Sequence, residues 1–234
     1  MKEKKKKAAA LKGIKPVGRP RFMGDTVYDM LKEAIIKGTL AQGQKLVETQ
    51  LSAQMNVSRV PVREAMKKLE QDGLVEKTGK RGFVVKIVSR EEIDETFGIR
   101  VLLESYAAFL ATERIDDGLI RKLDESIETY KQVLETGDTE RLMQLNTQFH
   151  EMVYRASGSQ KLYGLINNFR DFIYRYRRKL LNNLDFARLS LRDHEKMVKA
   201  MRQKDQKRVE HLVRKHILRG KEVILKEMES EKPV

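Results

Sequence analysis

The chain has 234 residues, 35% of them charged, no cysteine and a formal net charge of +14. That length allows one large domain or two small ones with separate cores, and the lack of cysteine excludes disulfides, thiolate zinc sites and cysteine nucleophiles. No apolar run approaches the roughly 18 residues of a membrane span and no signal-peptide core follows the first lysines, so a cytoplasmic protein with no membrane partner is expected.

The charge is unevenly placed. Residues 1–21 carry a net +8, residues 22–90 a net +4 and the remaining 144 residues only +2. A basic front on a nearly neutral body predicts a polyanion-binding module joined to a second unit. The expected division is a basic disordered tail over 1–21, a front module over 22–88 and a back module over 89–234. Within the tail, "GRPR" at 18–21 resembles the Gly-Arg-Pro core of minor-groove hooks; a nonspecific basic tail is the alternative.

From Thr26 the spacing turns helical: Val27, Met30, Leu31, Ala34 and Ile35 form an inward stripe that stops at Gly38. "TLAQGQKL" reads as a turn. A second helix is predicted over 48–55, with Leu51 and Met55 inward. Asn56 and Val57 then make a short link to a third helix capped by Ser58. Two helices so joined are a helix-turn-helix. Pro61 falls in the first turn, where its missing N–H has no intrahelical partner, so Ser58 should cap through the N–H of Val60. Val62, Met66 and Leu69 face inward. Arg59 and Arg63, one turn apart, share the other face near the helix start, where arginine forks can meet guanine O6 and N7; pairing of Arg63 to nearby carboxylates is the competing reading. Leu74 to Lys77 and Phe83 to Val88 read as two strands around "TGKRG", a wing with Lys80 and Arg81 at its tip.

The run "L-x-E-x-x-L-x-x-x-x-x-V-S-R-x-P-V-R-E-A", followed by "L-E-x-D-G-L-V" and a Gly-containing wing, resembles the winged helix of the GntR family of bacterial transcription regulators. The resemblance implies DNA contacts at Thr49, Ser58, Arg59, Val60, Arg63 and the wing residues Lys80, Arg81 and Gly82. Some relatives have arginine where this chain has Thr49, and "AQGQKL" replaces the usual Pro-Gly turn.

The back module opens on a capping box, Ser89 with Glu92, that starts a helix running to about Arg114. Five more helical segments follow, at 117–136, 139–156, 160–183, 186–203 and 206–229, with Asp116 or Asp117, Asp138 and Ser159 as caps. A bundle with an internal cavity is predicted, so the fold class is mainly α: a winged helix-turn-helix followed by a six-helix bundle. Phase sorts the four histidines. His150, His194 and His216 fall on or beside the inward stripes of three helices, whereas His211 points out. Three inward imidazoles with an oxygen ligand suit zinc, nickel or another divalent ion; three separately hydrogen-bonded core histidines fit the phase equally well.

"IRVLLESYAAFLA", "NTQFHEMVYRASGSQKL", "DHEKMVKAM" and "KHIL" resemble successive parts of the FCD effector domain, the branch of the family named for its fatty-acid-responsive member; the six-helix pattern resembles its VanR-like subgroup. Metal-binding members pair an Asp-x-x-x-His with two later histidines, which places the metal at Asn146, His150, His194 and His216, with Asn146 replacing the aspartate. The resemblance also implies that Arg100 faces an effector pocket, where it clamps a carboxylate or instead pairs with Glu104 at i,i+4. Tyr174, within "YRYRR", is placed on the same pocket. The expected function is a ligand-responsive regulator, a repressor by the commoner family behaviour, that binds a palindromic double-stranded DNA operator as a homodimer and responds to a small organic acid. The alternatives are a metal-dependent hydrolase with a basic appendage and nonspecific nucleic-acid binding by the tail.

Overall fold

A computed structural model of the chain describes residues 22–79 and 82–230. The basic tail, including "GRPR", and the wing-tip residues Lys80 and Arg81 lie outside the described residues.

The front module contains α1 (Met23–Ile36), β1 (Lys45–Val47), α2 (Glu48–Gln54), α3 (Arg59–Gln71), β2 (Val75–Thr78) and β3 (Gly82–Val85). Its core joins Val27, Leu31 and Ile35 of α1 to Val62, Met66 and Leu69 of α3, with Leu46, Val75 and Phe83 closing the sheet side. Met30, expected inward, is 56% exposed; one turn beyond Thr26 it sits on the edge of the stripe that Val27 and Leu31 define, and the core closes without it. The three strands are antiparallel in the order β1-β3-β2, with Phe83 opposite both Leu46 and Lys77. Strand β1 lies in the segment expected to be a turn. It exists because β3 offers an edge to pair with, a long-range cause that three residues cannot signal locally.

Two local expectations change in the same module. Ser58 is the N-cap residue of α3, but its hydroxyl makes no capping hydrogen bond. Pro61 occupies the position whose N–H such a hydroxyl usually takes, and the expected bond to Val60 is not formed. The return strand ends at Val85 rather than Val88. Val88 instead packs into the helical core behind it, while its N–H donates to Gln42 Oε1 at 2.9 Å.

The rest of the chain is helical among the described residues: α4 (Arg90–Arg114), α5 (Asp117–Thr136), α6 (Thr139–Ala156), α7 (Gln160–Asn168), α8 (Arg170–Leu181), α9 (Leu184–Arg202) and α10 (Gln206–Ser230). The caps read from the sequence are in place. Ser89, Asp116, Asp138 and Ser159 accept from the N–H groups of Glu92, Leu119, Arg141 and Leu162. Gly137 ends α5 in the left-handed conformation at φ 71°, where a Cβ would be strained.

The expected helix over 160–183 is broken in two, so seven helices follow the wing. Phe169 leaves helical geometry at φ −95°, ψ 7°, without a glycine or proline to mark it. Its ring packs on an outlying cluster with Ala107, Ile166 and Ile173, a tertiary contact that redirects α8. The main core runs the length of the bundle, from Ile93 and Phe97 through Leu123, Leu142 and Phe149 to Met201 and Ile224. Among the described residues, no helix is long and apolar enough to cross a membrane.

Candidate functional site

The first candidate surface is the start of α3. Ser58, Arg59 and Val60 are exposed, Val60 by 65%. An apolar side chain held out in water at a helix N-terminus is available for contact rather than packing. Arg59 makes no hydrogen bond or ion pair among the described residues. Arg63 donates from Nε and Nη2 to Glu48 Oε2 at 3.2 and 3.1 Å. That ion pair brings the first turn of α2, including exposed Thr49, beside the α3 face carrying both arginines. Gly82 lies at the start of β3 opposite Val47 and Thr78, where a Cβ would stand 3.2 Å from Thr78 Oγ1.

The second candidate lies inside the bundle. α6, α9 and α10 contribute His150, His194 and His216, whose ligand atoms all lie within 4.8 Å of one another. The rings are 5.0 to 5.5 Å apart between centroids. Phe149 stacks on His194 at 4.0 Å and holds it flat. Burial, and secondarily the charge of Arg177, holds the basicity of His150 well below the usual histidine range; burial and His216 do the same for His194. Both rings are therefore neutral lone-pair donors near pH 7.

His216 is oriented by a residue that the phase argument did not find. Asp193, buried beside His194 on α9, lies 3.2 Å through Oδ2 from His216 Nδ1 and also accepts from Arg219. Burial opposes ionisation of Asp193, yet its contacts with His216 and Arg219 keep its carboxyl below the usual range. An ionised carboxylate at Nδ1 holds the proton there and leaves Nε2 as the free lone pair. Asp193 precedes His194 by one residue, about 100° around the helix, so its tie to α10 is legible only once the helices are packed.

His150, His216 and Asn146 line a cavity of about 30 Å³ with Arg100, Arg177 and Ser190. Asn146 donates through Nδ2 to Ser190 Oγ at 3.2 Å, which leaves its carbonyl oxygen as the free end. Arg100 lines this cavity while its Nε donates to Glu104 Oε1 at 2.7 Å, so the i,i+4 ion pair and the cavity position coexist. Glu104 is fully buried and takes a second hydrogen bond from Tyr154. Tyr174 is not brought to the histidines. It lines an adjoining cavity of about 290 Å³, and Arg177, which sequence phase left unassigned, lines both.

The donor set fits a divalent ion. Nε2 of His150 and Nε2 of His194 are buried without a hydrogen-bond partner. Such orphaned nitrogens are costly in a core unless something else occupies their lone pairs. Zinc–imidazole bonds of about 2.0–2.1 Å require the three nitrogens to close toward a common centre from this spacing.

Residues 23–85 match the bacterial regulatory proteins, gntR family, and residues 95–219 match the FCD domain. The chain belongs to the GntR family, FCD branch. Relatives support the same assignment over most of its length. The HTH-type transcriptional regulator YdhC of Bacillus subtilis is 31% identical over 191 residues, 81% of this chain and 85% of that one. The repressor RspR of Escherichia coli K12 is 26% identical over 82% of this chain and 84% of its own. The gluconate operon repressor of B. subtilis is 30% identical over 75% and 74%. The structure of E. coli McbR/YncC superposes with a TM-score of 0.70 at 23% identity, covering 88% of this chain and 99% of that one; at that identity the likeness speaks for the fold. As a GntR protein the chain is a DNA-binding transcription regulator and not an enzyme, which removes the hydrolase reading of the histidine cluster.

Proposed function

We propose that this GntR regulator is a dimeric repressor, in a cytoplasmic setting, whose α3 reads one half of a palindromic operator and whose bundle senses a small organic acid at a divalent metal, zinc or nickel. Arg59 and Arg63 would take base edges, and Ser58, with its uncommitted hydroxyl at the helix start, would take a phosphate. Thr49, Val60 and the wing residues Lys80, Arg81 and Gly82 complete the DNA surface. Two such surfaces must be paired to read a palindrome. The outer face of α4 leaves Leu102 and Tyr106 61% and 53% exposed, apolar area that pairing of two copies would remove from water.

The observation that carries the sensing half is the convergence of His150, His194 and His216 around two unpartnered nitrogens. With the Asn146 amide oxygen they would hold the ion, which supplies a positive centre for a carboxylate. Arg100 and Arg177 supply hydrogen-bond donors for the acid's oxygens, and Tyr174 lines the larger side cavity where the rest of an acid would lie. Repression relieved by the acid follows if the liganded bundle favours a different arrangement of the two DNA modules.

The test is selection of bound sequences from random DNA, repeated with candidate acids, together with elemental analysis of the purified protein. Enrichment of a palindrome that one acid releases is the expected result. Enrichment of no sequence, with affinity following salt alone, would mean nonspecific binding.

A further inference from the structure

The histidine cavity has an unusual balance of charge. His150, His194 and His216 bring imidazole nitrogens and no negative charge, and His216 faces Asp193 through Nδ1. Asn146 offers an amide rather than a carboxylate. Among the described residues, no Asp or Glu lines the cavity, whereas two arginines do. The two buried carboxylates of the surrounding helices are already engaged: Glu104 with Arg100 and Tyr154, Asp193 with His216 and Arg219. Arg177 has no carboxylate partner among the described residues; its one hydrogen bond there is to Thr147 Oγ1 at 3.4 Å.

A divalent ion placed among these side chains would have uncharged protein ligands only and a guanidinium beside it that no anion balances. In a buried setting this disfavours the cation, since like charges repel strongly where water does not screen them. An anion that ligates the metal removes both penalties at once, because it neutralises the ion and faces the arginines. The cavity has room for one: about 30 Å³ exceeds the 10–15 Å³ that a single water requires, which suits the two oxygens of a carboxylate.

On the metal reading proposed above, we infer that metal and carboxylate bind this site as a coupled pair, the chain holding the cation tightly only when a carboxylate completes its coordination. Asn146 is the residue that sets this dependence. An aspartate there would neutralise half of the metal's charge from within the protein and allow it to bind alone. Linkage makes the coupling reciprocal: whatever factor the carboxylate adds to metal affinity, the metal adds to carboxylate affinity. The regulator would then respond to the coincidence of a metal and an acid rather than to either one.

The experiment uses the full-length protein stripped of metal and titrated with Co²⁺, whose visible absorption reports its coordination, in a perchlorate background with and without formate. The expected result is Co²⁺ affinity tightened at least roughly tenfold by formate, with a change in the absorption band as formate joins the ion. Asn146→Asp should bind Co²⁺ tightly without formate and lose most of the dependence. Arg177→Gln, which leaves the ligands untouched, should bind Co²⁺ more tightly without formate and gain less from it, and it carries the test if Asn146→Asp does not fold. Tight Co²⁺ binding to the wild type that formate does not alter overturns the inference and leaves the metal reading standing. No Co²⁺ binding in either condition overturns both.

Discussion

Lys32 of α1 and Asp171 of α8 form a 2.6 Å ion pair between the DNA-reading module and the helical bundle. Asp171 stands in the first turn of α8, and Arg177, on the same helix, reaches the histidine cavity. α8 therefore touches both the histidine cavity and the DNA module. A shift of α8 on ligand binding would be felt at α1, which packs directly against α3.

Lys32→Ala tests whether that contact transmits anything. A partly exposed ion pair contributes no more than about 1 kcal/mol to stability, so the variant should fold and bind operator with little change. The ratio of operator affinities with and without the releasing acid, measured by fluorescence anisotropy, should shrink toward one. An unchanged ratio would place the coupling elsewhere.

Glu104 is a stability hinge of a different kind. Removing it in Glu104→Ala strands the Arg100 charge in the bundle, a loss of about 3–5 kcal/mol. The thermal midpoint should fall by something of the order of 10 °C. Arg100→Met with Glu104→Met, which removes both charges, should recover much of it. Tyr154→Phe should cost only about 1–3 kcal/mol, because Glu104 keeps its bond to Arg100.

Asp193→Asn probes how His216 is held. The amide can still meet one neighbour, but it no longer offers His216 Nδ1 and Arg219 a shared charged acceptor. On the proposed metal reading, loss of such a partner weakens metal binding by about 10- to 100-fold, readable by competition with a chromogenic chelator. Wild-type affinity in the variant would show that His216 is positioned by packing alone.

At the other end of the molecule, Arg59→Ala should cost about 1–3 kcal/mol on the selected operator and relax preference at one base position. The melting temperature should not move, since Arg59 is exposed and has no partner among the described residues. Equal losses on operator and scrambled DNA would make Arg59 a phosphate contact instead.

The parts of this protein readable from sequence are those set by local spacing. The stripe from Val62 to Leu69 and the caps at Ser89, Asp116, Asp138 and Ser159 needed only neighbours within a turn or two. The inward phase of His150, His194 and His216 could be read in the same way. Features made by distant partners were not readable. β1 depends on β3, the break at Phe169 depends on a cluster with α4, and the Asp193–His216 contact spans two helices. Arg177 illustrates the limit within one element: "YRYRR" covers every side of a helix, so only packing could decide which arginine turns inward.

Glu48, finally, gives Arg63 something to lose. On the proposed reading, the guanidinium that would question a base is already docked on a carboxylate when no DNA is present. A stray phosphate offers little improvement over that berth, whereas guanine presents two acceptors side by side. Selectivity would then arise from the quality of the bond surrendered, and the protein could travel along unrelated sequence without lingering.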